Sequence, residues 1–164
     1  MEIKKIAVNF PFSIGTIEWA PNKAEKQAAW FLYVELSTRI TGVIRDGGPD
    51  QDYGSARRAM SSLYEILNIT RKVIREAGPE IAHGPNSLGP IALKIVNTNI
   101  RPILDEFHSK LEAHERNLPK DEDSQKHERM WDKYIPFWDK IVELSTEMQQ
   151  YLEALEEVAE VKMK

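Results

Sequence analysis

Arg101 and His108 are the pair of side chains best placed to do chemistry. They stand seven residues apart in a segment with helical patterning, and seven residues on a helix differ by only about 20° in direction. Both therefore project from one side, with Leu104 between them and Leu111 just beyond. A guanidinium can stabilise the negative charge of a phosphorane-like transition state and an imidazole can move a proton. Together these are what metal-independent cleavage of RNA requires.

The string R-P-I-L-D-E-F-H (101–108) resembles the Arg-x4-6-His motif of HEPN domains. These are helical bundles common in prokaryotic toxin and antiviral systems, and many of them are dimeric ribonucleases. Where that family usually carries Asn, Asp or His after the Arg, this chain carries Pro102. The resemblance implies a ribonuclease with Arg101 and His108 as catalytic residues and RNA as its partner. It stands as the alternative to a structural Arg and His.

A second constellation gathers Asp105, His108, Glu112, His114, Glu115, His127 and Glu128. Helical bundles build metal sites from Glu-x-x-His repeated on two helices. Here Asp105-x-x-His108 occurs once, and Glu80-x-x-His83 falls in a Gly/Pro loop. The expectation is no metal and no cofactor, with His114 and His127 hydrogen-bonding the turn they flank. Arg57, Arg71 and Arg75, with Lys72 and Arg58 adjoining, form a basic stripe suited to phosphate or to an acidic partner. No phosphate-cradling glycine loop, nucleophile elbow or zinc spacing occurs.

The elements that position these residues follow from periodicity. Along 1–21, Ile6, Val8, Phe10, Phe12 and Ile14 alternate with smaller or polar residues, which predicts an extended arm or short hairpin turning at Gly15-Thr16. Asn22 and Glu25 are spaced as a capping box. They open a first helix over about 22–44 that buries Ala29, Tyr33, Leu36, Ile40 and Val43. Trp30, Phe31 and Val34 lie off that stripe and need the arm, or a second subunit, to cover them. With Arg57, Arg71, Lys72 and Arg75 they are the expected partner-binding residues.

After a polar loop at 45–53, a second helix is expected over 55–77 and a third over 90–116, kinked at Pro102. The fourth, over 122–161, is expected to be the spine. His127, Trp131, Tyr134, Trp138, Ile141, Ser145, Met148, Leu152, Leu155 and Ala159 follow a 4-3-4-3 rhythm. Met130, Phe137, Leu144, Tyr151 and Val158 form a stripe beside it, and Pro136 should kink the helix. The fold class is all-α: an antiparallel four-helix bundle in one domain, 1–164, with the N-terminal arm.

At 164 residues, and with no Cys, the chain has no disulfides or thiolate zinc sites, which fits a cytoplasmic address. No apolar run approaches a membrane span. Net charge is −4, but it is uneven: 54–78 holds five cations against two anions, and 121–164 six against twelve. Long-range attraction of nucleic acid is not expected from so acidic a whole, although a local basic stripe could still supply it. The segments EWAPNKAEKQAAWFLYVELSTRI (18–40) and HERMW (127–131) are similar to those of small helical components of bacterial conflict and antiviral gene clusters. That similarity implies no activity. The expected role is therefore a non-enzymatic interaction or adaptor module, with a protein partner or a second copy of the chain.

Overall fold

The computed structural model describes residues 4–43 and 55–163. The chain is mostly helical, with one small two-stranded sheet. Strands β1 (Ile6–Phe10) and β2 (Gly15–Trp19) pair antiparallel, with Val8 opposite Ile17 and Ile6 opposite Trp19. Period-two alternation puts Ile6, Val8, Phe10, Ile17 and Trp19 on one face, which joins the core. The hairpin alternative is thus the one adopted, but its turn comes earlier than Gly15-Thr16. Phe12 and Ser13 form the corner, both with left-handed backbone (φ 60° and 63°), and the Ile14 N–H closes on the Pro11 carbonyl at 3.2 Å.

Helix α1 (Lys23–Val43) starts at the expected capping box. Asn22 Oδ1 accepts the Glu25 N–H at 2.8 Å, and Glu25 Oε1 accepts the Asn22 N–H at 3.1 Å. Glu25 does more than its spacing announces. Fully buried, its carboxylate also accepts the Trp19 indole N–H at 3.0 Å and the Leu88 N–H at 3.0 Å, and meets His83 Nε2 at 2.8 Å. One side chain thereby fastens the hairpin, the start of α1 and the start of a later helix. A buried carboxylate is tolerated because so many donors replace its water.

The buried face of α1 is Ala28, Ala29, Leu32 and Leu36, with Tyr33 only half-buried, so it is turned toward Leu32 relative to the expected stripe. The side chains of Ile40 and Val43, and the expected loop at 45–53, lie outside the described residues. Helix α2 (Ala56–Ala77) follows its expected bounds and buries Met60, Leu63, Ile66, Leu67 and Val73: the Ser55 side chain accepts the Arg58 N–H at 2.9 Å, and Gly78 ends the helix at φ 79°.

The expected third helix is built in three pieces. Helix α3 (Leu88–Ile95) starts two residues before Pro90, a wider π turn spans Val96–Ile100, and α4 (Arg101–Arg116) continues from it. Pro102 cannot donate to the carbonyl four residues back, and its ring crowds that carbonyl. The backbone widens just before the proline, and the Arg101 N–H reaches back five residues to Val96. The kink expected at Pro102 takes this form. Gly89 lies so close to Ile81 that a Cβ would stand 2.8 Å from the Ile81 carbonyl oxygen, so this position admits only glycine without movement.

The expected fourth helix is divided. Helix α5 (Ser124–Arg129) stops, two turns follow, and α6 (Tyr134–Ala159) begins afresh. Met130, expected in the second stripe, falls in the break and is 67 % exposed, whereas Trp131 still reaches the core. Pro136 lies in the first turn of α6, where an amide has no helical acceptor to lose. The core is one continuous cluster. Within it α1 packs along both α2 and α6, which touch each other little; α6 also meets β1, and α2 meets α4.

Candidate functional site

The connection between α4 and α5 shows what became of the histidine-rich constellation. His114 and His127 stack with ring centroids 3.9 Å apart, and each ring's Nε2 bonds to the other residue's backbone carbonyl, at 2.6 and 2.7 Å. This reciprocal clip is the turn-bonding role expected of them. Glu128, buried in α5, accepts the N–H groups of Ala56 at 2.5 Å and Arg57 at 3.3 Å, so it caps the start of α2 beside Ser55. Burial pushes its pKa above the ordinary carboxylate value, more than those two hydrogen bonds and Arg57 pull it down.

Glu115 is taken by Arg57, which grips it with Nη2 and with Nε at 3.0 Å. That hydrogen bond holds the Arg57 guanidinium above its ordinary pKa. Arg57, one of the expected partner-binding residues, is therefore engaged within the fold while still partly exposed. His83 is committed to Glu25, and Glu112 lies 3.8 Å from both His108 and Arg116. Among the described residues, no three His, Asp or Glu side chains are grouped to hold a metal ion.

Arg101 and His108 do share one strip of α4, as their spacing requires. Arg101 is exposed, and His108 is half-buried with its ring nearly perpendicular to that of Tyr64 of α2, centroids 5.3 Å apart at 81°. Neither lines the cleft of about 350 Å³ that lies between the hairpin turn, the π turn and α6. That cleft is walled by Phe12, Pro102 and Leu144, with Asn99, Lys140 and Glu106 among its polar lining. Glu147 at its edge accepts the Phe12 N–H at 2.6 Å, which pins the left-handed corner in place. No sequence signal announced this cleft, because a turn built on Phe-Ser lacks the Asn-Gly signature and a π turn has no composition of its own.

The outer face of α1 carries exposed apolar side chains. Phe31 is 47 % exposed and Val34 40 %, with the hairpin already docked elsewhere, so the arm does not cover them. Trp30 is half-buried and stacks on Tyr33, centroids 6.0 Å apart at 9°. The Tyr33 hydroxyl has its pKa raised by burial and by a hydrogen bond to Glu156 of α6. Beside Phe31, a shallow cleft of about 320 Å³ between α1 and α2 has an apolar floor of Ala28, Val73 and Ala77 and carries Glu76 and Glu80. Arg71, Lys72 and Arg75 are exposed on α2, and among the described residues none of them forms an ion pair. No helix of the described residues is long and apolar enough to cross a membrane. Comparison with known protein families, with curated proteins and with solved structures finds no match to this chain.

Proposed function

We propose that the chain is a non-enzymatic interaction module, an antiparallel four-helix bundle with its N-terminal hairpin, that binds a protein partner through the outer face of α1. The observation that carries this reading is the exposure of Phe31 and Val34 on the helix that packs most extensively within the core. Apolar side chains of this size, gathered on one face above a cleft, mark an interface more than a wetted surface. Glu76 and Glu80 beside Phe31 favour a partner that presents an apolar residue flanked by cations. The setting within a prokaryotic antiviral or conflict system belongs to the same proposal and rests only on the resemblance stated above for segments 18–40 and 127–131.

The test is co-purification from the native host with wild-type protein and with a Phe31→Ser/Val34→Ser variant, followed by calorimetry of the purified partner with each. A partner bound by the wild type and lost by the variant supports the proposal, provided both melt within about 2 °C of each other, as exposed substitutions should. Identical partner sets for the two proteins, together with sedimentation of both as strict monomers, would sink it.

The second reading, a HEPN-like ribonuclease using Arg101 and His108, is favoured by their shared strip on α4 beside the α2 cations. It requires RNA cleavage in chelator that is lost in His108→Ala while the fold persists.

A further inference from the structure

We propose that the seam between α2 and α4 is a nucleotide-binding site in which Arg71 and Arg101 hold a phosphate and Tyr64 supports the base. This assignment does not depend on the α1 reading. Two observed contacts set the register of the seam: Arg57 grips Glu115, and Tyr64 meets His108. From the first contact to the second is seven residues up α2 and seven down α4, so the two helices run in opposite directions here. The next step of seven brings Arg71 level with Arg101, the first residue of α4. Contacts of α2 continue past this point to the π turn and α3, so the helices do not splay apart.

The residues on either side confirm where the strip lies. Three residues on from strip positions, Met60, Leu67, Leu104 and Leu111 are buried. Four residues on, Ser61, Asn68, Arg75 and Asp105 are exposed. The strips therefore run along the solvent-facing edge of the seam.

The charges along that edge are unequal. At one end Arg57 is neutralised by Glu115. At the other, Arg71, Arg75 and Arg101 are exposed, without an ion pair among the described residues, and Asp105 is the nearest carboxylate in register. Guanidinium groups set level across a seam repel one another until an anion lies between them, and their planar forks match phosphate oxygens. Tyr64, 37 % exposed, packs against the His108 ring and keeps part of its side chain open to solvent. It sits about 10 Å of helix rise from Arg71, a distance that a base and its phosphate span together with the reach of the arginine. Only binding is assigned here; no bond is broken.

The test is fluorescence anisotropy of the full chain at low salt, with a labelled single-stranded hexaribonucleotide in one arm and a fluorescent nucleoside monophosphate in the other. Inorganic phosphate serves as competitor. Binding in either arm that weakens with added salt, and that falls about tenfold or more in Arg71→Gln/Arg101→Gln, is expected. Tyr64→Ala should weaken both labelled ligands but leave competition by inorganic phosphate unchanged. Arg58→Gln, an equal charge change on α2 off the seam, should leave affinity within about twofold. If the double variant fails to fold, Arg71→Lys, which keeps the charge and loses the fork, supplies the same comparison. Absence of binding in both arms, or an equal loss in Arg58→Gln, would overturn the assignment.

Discussion

At the scale of single residues, three carboxylates organise the molecule, and each is committed to backbone N–H groups. Glu25 joins the hairpin, α1 and α3; Glu147 fixes the Phe12 corner; Glu128 caps α2 from across the chain. Of these only the Glu25 link to Asn22 was legible, because a capping box is local in sequence, whereas a carboxylate seventy residues away leaves no spacing to read. Glu128 gives a pH prediction with a definite sign. Its folded pKa is raised above the ordinary carboxylate value, so as pH rises the unfolded chain releases this proton before the folded chain does. The stabilising contribution present at acid pH is then lost as pH climbs through the raised value. Glu128→Gln cannot titrate, so urea unfolding measured from about pH 4 to pH 7 should show the wild type losing ground to the variant as pH rises. A difference that stays constant, or moves the other way, would show that burial does not dominate at this carboxylate.

At the scale of elements, periodicity located the helices and missed their interruptions, for reasons that differ from place to place. Trp131 and Tyr134 keep the three-four rhythm of the last segment even though the backbone between α5 and α6 is not helical, so the pattern ran straight through the break. Pro102 signalled a disturbance, but whether a helix bends or widens depends on what packs around it. In the hairpin, alternation holds up to Phe10, but the corner does not fall at the nearest glycine, Gly15. The chain instead places Phe12 and Ser13 in left-handed conformations that L-residues adopt at a cost of about 1 kcal/mol each. Ser13 is exposed, so Ser13→Gly should relieve part of that cost without loss of packing. The expected gain is about 0.5–1 kcal/mol, seen as a rise of about 2–3 °C in calorimetric Tm. A fall in Tm would mean that restricting the unfolded chain at Ser13 matters more than the strained corner.

At the scale of the whole molecule, α6 buries the most side chains among the described helices, and α1 joins it at the centre by lying against both α2 and α6. Contact with two neighbours needs a buried face wider than one stripe, which Ala28, Ala29, Leu32 and Leu36 supply. Phe31 and Val34 stay exposed beside that face, so their place off the expected stripe marks surface and not core. Hydrogen exchange should separate the layers. Opening the middle of α1 exposes buried side chains that contact two neighbours at once, so amides over 28–36 should require the largest opening and exchange most slowly, along with 144–155 of α6. Helix α5 has six residues, most of them exposed, and is anchored chiefly by Glu128 and the His114–His127 clip. Its amides should exchange orders of magnitude faster, and Glu128→Gln should accelerate them further while leaving 28–36 unchanged. Exchange over 28–36 as fast as that of α5 would mean that α1 is a surface helix held by its ends, and the interface assigned to its outer face would lose its rigid support.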